Sequence, residues 1–185
     1  MQADRRRFLK STGIVLSIAV GCDILRVSPG HARAAGLPYQ VLSAEEVSTL
    51  ERLAETIVPG ARDAGIAHYI DKQLSASAQD SLLMLKYLGV PHAGFADFYQ
   101  SSLESAAKLS VSHSGKPWTQ LSTDQANELV AQIAGNPEVA WEGPPASFFF
   151  FVLRSDACDV VYGTAAGIAP LDMPHMAHIE PLQPW

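Results

Sequence analysis

The sequence contains few cysteines and few basic residues. Its 185 residues include two cysteines, Cys22 and Cys158, and 13 lysines and arginines against 19 aspartates and glutamates. Covalent haem attachment through Cys-x-x-Cys-His is therefore excluded. The Gly-x-Gly-x-x-Gly fingerprint of flavin and nicotinamide domains, the phosphate-binding loop and the Gly-x-Ser-x-Gly nucleophile elbow are also missing from the sequence. These absences predict a chain that has no catalytic and no cofactor-binding residues of its own.

The first 34 residues have the anatomy of a secretory signal peptide. A basic start precedes a short apolar run over residues 14–20, and Ala32-Arg33-Ala34 forms a small-x-small cleavage site. The run is too short to span about 30 Å of hydrocarbon. The basic start resembles a twin-arginine signal, which exports folded proteins; its motif residues are Arg5, Arg6, Phe8, Leu9 and Lys10. We therefore expect a signal peptide over residues 1–34, a domain over residues 35–185 and a periplasmic location.

The start of the mature chain has a second possible position. Ala19-Val20-Gly21-Cys22 loosely resembles a lipoprotein box, so cleavage after Ala34 and acylation at Cys22 are both open. Removing residues 1–34 takes away six of the 13 basic and two of the 19 acidic residues, which leaves 7 against 17 and a net charge of −10. Such a surface repels nucleic-acid phosphates and excludes nucleic-acid binding. Cys158 is then the one mature cysteine, either buried and inert or paired with another molecule.

Helical periodicity dominates the mature chain and predicts an all-α fold, a small irregular domain of about six helices with an extended C-terminal strap. Ser43 with Glu46 and Ser122 with Gln125 have the spacing of capping boxes. Asp63 is predicted to cap a further helix. The apolar positions of the predicted helices run over residues 47–57, 66–74, 82–88, 95–109, 126–133 and 146–162.

The last helix and the tail behind it carry unusual amounts of apolar surface. Residues 148–153 are apolar all round, so this helix is either central to the domain or partly covered by another protein. From Gly163 onward, prolines predict an irregular strap that lies across this chain or a partner. The residues expected at a partner interface are Phe148, Phe149, Phe151, Val152, Cys158, Tyr162, His175, His178 and Trp185.

Two constellations suggest chemistry, each with a simpler explanation. His175, His178 and Glu180 are reasonable zinc ligands and support a second hypothesis, a stand-alone periplasmic metalloenzyme. Hydrogen bonding in the strap or at an interface explains the histidines without a metal, and no third rigid ligand is evident from the spacing. Asp156 and Asp159 have the residue types of an acid–base pair, but they fit equally as polar positions of the last helix.

Several stretches of the mature chain together resemble the gluconate 2-dehydrogenase subunit 3 family, the small subunit of membrane-associated flavin-dependent dehydrogenases. They are residues 42–46, 53–60, 63–71, 115–122, 162–163 and 174–181. The resemblance implies an all-helical subunit without cofactor, bound to an FAD-containing large subunit of the glucose–methanol–choline oxidoreductase type. It also implies that a multihaem cytochrome c subunit often completes the complex and passes electrons to the membrane quinone pool.

The resemblance carries over no catalytic residues, because the chemistry of this family resides in the other subunits. A flavoprotein takes up its cofactor before it crosses the membrane, so a large subunit without a signal needs a partner that has one. We therefore expect this chain to escort and stabilise the large subunit of a complex that oxidises a sugar, sugar acid or alcohol. Cys158 is the expected position of any intersubunit disulfide. Neither the substrate nor the stoichiometry is encoded in this chain.

Overall fold

The computed structural model describes residues 14–20, 23–135 and 139–172. Its α-helices are α1 Pro29–Ala34, α2 Ala44–Ile57, α3 Ile66–Leu74, α4 Met84–Tyr87, α5 Phe95–Ser114, α6 Thr123–Gly135, α7 Ala146–Tyr162 and α8 Ala165–Ile168. Short 3-10 turns span His92–Gly94, Trp118–Gln120 and Ala169–Leu171. Two strands, β1 Leu16–Val20 and β2 Asp23–Val27, precede the helices. The predicted helical class is confirmed.

The strands form an antiparallel hairpin inside the predicted leader. Its register pairs Leu16 with Val27 and Val20 with Asp23. Leu16 and Ile18 point into the apolar core, where they are 2% and 4% exposed. The twin-arginine motif lies outside the described residues.

Both predicted capping boxes are present. The Ser43 hydroxyl accepts the Glu46 N–H at 3.3 Å, and the Glu46 carboxylate accepts the Ser43 N–H at 2.7 Å. Ser122 and Gln125 repeat this reciprocal pair at 3.2 and 3.1 Å. The boxes set the starts of α2 and α6, because each satisfies backbone N–H groups that have no partner within the helix.

The prediction that Asp63 caps α3 was wrong. Gly65 occupies the N-cap position with φ 85°, and no side chain caps this helix. The Asp63 carboxylate instead accepts a hydrogen bond from Arg33 at 3.4 Å. This partner is 30 residues away in sequence, which is why local spacing could not identify it.

Two other boundaries differ from the sequence prediction. Helix α4 is shorter than the predicted 82–88, because the Leu82 N–H donates to the Gln73 side chain at 2.7 Å and Leu83 stays extended. After Gly163 the chain is not irregular as predicted, since α8 and a 3-10 turn continue to Leu171. The Thr164 hydroxyl starts α8 by accepting the Gly167 N–H at 3.0 Å. The predicted strap beyond Asp172 lies outside the described residues.

Helix α7 is the centre of the domain. It contacts α2, α3, α4, α5, α6 and α8. Its inward side chains are buried: Phe149, Val152, Leu153, Asp156, Ala157, Val160 and Val161. Of the two explanations for its apolar character, the central position accounts for most of the helix.

The irregular segment over residues 37–42, which bends at residues 40–42, is held along α3 by two buried polar side chains. The Asp71 carboxylate accepts the backbone N–H groups of Gln40, Val41 and Leu42 at 2.8, 2.8 and 2.9 Å. His68 contacts the Leu37 carbonyl through Nε2 at 2.9 Å and the Tyr39 hydroxyl through Nδ1 at 3.1 Å. Because buried polar groups need partners, these two residues specify where the segment lies.

Candidate partner interface

Part of α7 remains open to solvent. Phe151 is 39% exposed and Tyr162 is 36% exposed, while Phe148 and Cys158 are half-buried. Alternating steps of three and four residues join Phe148, Phe151, Ser155, Cys158 and Tyr162, so these side chains share one narrow face of the helix. We call these five residues the exposed seam. Four of its residues are among those that the sequence predicted at a partner interface.

Two predicted interface residues lie inside the domain. Phe149 and Val152 are both 0% exposed. The Phe149 ring packs on Trp141 and Tyr99, with centroids 5.8 and 6.2 Å apart. A partner that docks on this conformation cannot touch either side chain, so an interface on α7 depends on the exposed seam. His175, His178 and Trp185 lie outside the described residues.

Aromatic and cationic contacts set the edges of the exposed seam. Phe148 packs edge-on against Phe98 with 5.5 Å between ring centroids and remains half-buried. The Arg154 guanidinium lies over Phe150 and Phe151, at 5.5 and 5.8 Å from the ring centroids. The seam is therefore an apolar strip with a cation at one margin, a composition typical of the core and rim of protein interfaces.

Cys158 is the thiol of the exposed seam. It is half-buried and is not in a disulfide. Partial burial raises the pKa of this thiol, the Arg154 charge opposes that shift and the Asp159 charge adds to it. A thiol with a raised pKa is mostly protonated near neutral pH and reacts slowly. The environment of Cys158 is therefore not that of an activated catalytic cysteine.

A cleft of about 580 Å³ adjoins the end of the seam. It lies between the start of α1 and the C-terminal end of α7, and Tyr162 belongs to both the cleft and the seam. Apolar groups such as Pro59, Val160 and Leu171 line most of it. Apolar surface on this side of the molecule thus extends from α7 to the beginning of the domain.

Asp156, one of the two carboxylates considered for acid–base work, is fully buried. Its carboxylate accepts the Met84 N–H at 2.9 Å and the Tyr99 hydroxyl at 2.5 Å. Burial raises the pKa of Asp156 to about 7, the two hydrogen bonds oppose this shift and the Asp159 charge adds to it. Burial and the Asp156 charge hold the pKa of Tyr99 well above its usual range.

The position of Asp156 favours a structural role. At 0% exposure it offers no face to a substrate, and its hydrogen bonds join α4 and α5 to α7. Asp159 lies three residues further along the same helix and is exposed, so only one of the two carboxylates is open to a substrate. Burial raises the pKa of Asp159 as well.

The described residues offer no cluster that resembles a metal site. Within 14–20, 23–135 and 139–172, no three His, Cys, Asp or Glu side chains come together as metal ligands would. In the same ranges, every helix is too short or too polar to cross a bilayer. The tail residues of the metalloenzyme hypothesis, His175, His178 and Glu180, are not among them.

Sequence reasoning did not identify His68 and Asp71 as structural determinants. Together with Gly65 they recur every three residues, which places all three on one side of α3. A histidine and an aspartate at that spacing on an apolar helix were the available signal. What they bind could not be read from it, because the partners are about 30 residues away.

The chain matches a family of known proteins. The family described as gluconate 2-dehydrogenase subunit 3 matches residues 44–171, which include α2 to α8. No curated protein and no solved structure matches the chain.

Proposed function

Since the chain belongs to the gluconate 2-dehydrogenase subunit 3 family, we propose that it is the non-catalytic small subunit of a periplasmic FAD-dependent dehydrogenase complex. The complex oxidises a sugar, sugar acid or alcohol. The observation that carries this proposal is the exposed seam, an apolar strip on the central helix of the domain. The description of the matching family names a subunit, and a subunit needs a surface of this kind to bind its partner.

The seam supports docking because its aromatic side chains lie open on an otherwise well-packed helix. Phe151 and Tyr162 are large groups with more than a third of their surface in water. Burying apolar surface stabilises an association by about 25 cal/mol per Å², before the costs of ordering both partners. Aromatic side chains are enriched among the residues that contribute most to binding. We therefore assign the seam to the contact with the large subunit.

The proposed assignment of cofactors and export signal to the different subunits follows from how flavoproteins mature. The FAD belongs to the large subunit, of the glucose–methanol–choline oxidoreductase type, and haem c belongs to a possible third subunit. The small subunit holds no cofactor. It carries the twin-arginine motif, Arg5, Arg6, Phe8, Leu9 and Lys10, and exports the folded large subunit together with itself. Membrane association comes through the assembled complex.

Cys158 offers a thiol for a disulfide bond across the proposed interface. It lies in the exposed seam between Phe151 and Tyr162, so a partner cysteine on the docked surface would reach it. The periplasm allows such a bond to persist. We propose Cys158 as the small-subunit half of any intersubunit disulfide.

The subunit proposal is tested by purifying the full chain from membranes of its native host through an affinity tag. We expect a large subunit to co-purify, with flavin absorption in the visible spectrum and a glucose–methanol–choline sequence by mass spectrometry. Recovery of a colourless chain without a partner would refute the proposal. Haem bands in the same spectrum would add the cytochrome subunit.

A matched pair of variants tests the seam itself. Phe151→Glu places a charge in the seam, whereas Val111→Glu places the same charge on α5, at a position that is 55% exposed. We expect the Phe151 variant to recover at least tenfold less large subunit, corresponding to about 1.4 kcal/mol or more of lost binding. The Val111 variant should match the wild type. Equal recovery with both variants would place the interface elsewhere.

A further inference from the structure

The segment that the sequence assigns to the end of the leader is part of the folded domain. Helix α1 packs on α3, where Ala32 is 0% exposed. The Ala32 N–H donates to the Ser28 carbonyl at 2.9 Å, and its own carbonyl accepts the Leu37 N–H at 3.0 Å. We call residues 28–42 the N-terminal arm.

Two glycines allow the arm to approach α3 closely. A Cβ on Gly65 would lie 2.2 Å from both the carbonyl carbon and the oxygen of Pro29. A Cβ on Gly30 would lie 2.9 Å from the Asp63 carbonyl oxygen. Because the obstructing atoms belong to the backbone, neither clash can be relieved by a side-chain rotation. The contact between α1 and the start of α3 therefore depends on glycine at both positions.

Charge also ties the arm to the domain. Arg33 donates to Glu51 at 2.9 Å and to Asp63 at 3.4 Å. The Glu51 side chain is only 15% exposed, and its other cation, Arg62, is more distant at 3.5 Å. Losing Arg33 would leave a largely buried carboxylate with its weaker partner, which is unfavourable.

These contacts bear on where the exported chain is processed. A small-x-small site is read through its first and third residues, here Ala32 and Ala34. In the folded protein Ala32 is buried and the site is helical, whereas proteases cut exposed and poorly ordered segments. A twin-arginine substrate is already folded when it reaches a peptidase on the far side of the membrane. Ala34 and Ala35, which flank the bond, are exposed at the end of the helix, so the protection at the time of cleavage comes from the buried Ala32 side chain and the helical backbone.

We propose that residues 28–34 remain in the mature protein, docked on α3, and that processing occurs N-terminal to Ser28. This inference rests on the export part of the proposed function. Acylation at Cys22, the alternative that the sequence leaves open, is one processing event that retains the whole arm.

The first test is the N-terminus of the chain recovered from outside the cytoplasm of its native host, measured by N-terminal sequencing and by intact mass. We expect a chain that begins at Ser28 or at an earlier residue, whether or not Cys22 is acylated. A mature chain that begins at Ala35, or at any residue from 29 to 34, would overturn the inference. If no chain leaves the cytoplasm, the export proposal fails, and docking of the arm is judged by the second test.

The second test compares Gly65→Ala with Gly60→Ala in the full chain. Both glycines have a positive φ, 85° and 92°, but nothing lies within 4 Å of a Cβ on Gly60. The pair therefore separates the clash with the arm from backbone strain. We expect Gly65→Ala to lower Tm by at least about 5 °C more than Gly60→Ala. In exported protein, only Gly65→Ala should also yield a chain cut after Ala34. An equal loss of Tm in the two variants would show that the arm does not dock as described.

Discussion

Helices α3 and α7 show two ways in which an apolar helix can meet the surface. The outer side of α3 is covered by the N-terminal arm, which the Asp71 and His68 side chains hold in place. The exposed seam of α7 has no such cover among the described residues, and Phe151 remains 39% exposed. The chain thus covers α3 with its own N-terminal arm and leaves the seam of α7 exposed. We propose that the large subunit docks on this exposed seam.

The largest expected effect on this contrast comes from Asp71→Ala. The variant leaves the N–H groups of Gln40, Val41 and Leu42 without their acceptor and opens the covered side of α3. We expect a loss of about 3 kcal/mol in the free energy of unfolding, measured by urea denaturation. Asp97→Ala, which removes an exposed carboxylate at the start of α5, should cost about 0.5 kcal/mol. Similar losses in both variants would mean that the arm does not depend on Asp71.

A pH titration tests the inner side of α7. The pKa of Asp156 is raised from 3.8 to about 7, so the folded state binds this proton more tightly than the unfolded chain does. Its contribution to stability is fully present below about pH 4 and is lost as the pH rises through 7, a change on the order of 4 kcal/mol.

Asp156→Asn should therefore flatten the dependence of unfolding free energy on pH over that window. Asp159→Asn, on the exposed side of the same helix, should keep most of the dependence. A pH profile that is unchanged by Asp156→Asn would contradict the burial of this carboxyl as an ionisable group.

A smaller change probes the second attachment of the arm. Tyr39→Phe removes the hydroxyl that contacts His68 at 3.1 Å, while the ring keeps its tilted contact with the imidazole at a centroid distance of 4.3 Å. We expect a loss of about 1 kcal/mol in the free energy of unfolding. Tyr87→Phe, at a side chain that is 68% exposed, should change it by less than about 0.5 kcal/mol.

Apart from the control substitutions, the smallest effect on stability is expected for Cys158→Ser in the open seam. Because the thiol is half-buried and makes no disulfide with any described residue, the substitution should cost less than about 1 kcal/mol. If Cys158 links the subunits, a non-reducing gel of the complex shows a crosslinked band that this variant abolishes. A complex without such a band would remove the disulfide while leaving the seam contact intact.

Much of the fold was predictable because its determinants are local. Helix α7 begins and ends at the predicted residues, Ala146 and Tyr162, and both capping boxes formed as their spacing indicated. The failures involve side-chain partners that lie outside the helix whose end they affect. Asp63 was predicted to cap α3, but it pairs with Arg33 instead, and α4 is shortened by the hydrogen bond that the Leu82 N–H donates to the Gln73 side chain.

In the candidate site, too, the local pattern was predictable and the packing partners were not. The sequence identified the aromatic helix and several residues of the exposed seam, but it could not separate Phe149 from Phe151. These two lie two residues apart on a helix that is apolar all round, so the pattern carries no information on which side faces the core. Packing against Trp141 and Tyr99 places Phe149 inside, and Phe151 is left outside.

The sequence by itself therefore determined the helical class, the caps, the absence of the searched cofactor motifs and the family to which the chain belongs. These properties depend on residues within a few positions of one another, or on residue types alone. Only the tertiary structure decided that Ala32 lies buried in a segment resembling a cleavage site, and that the arm covers α3 while the seam of α7 stays open. Such choices depend on contacts across 30 or more residues, such as Arg33 with Asp63, which no local pattern records.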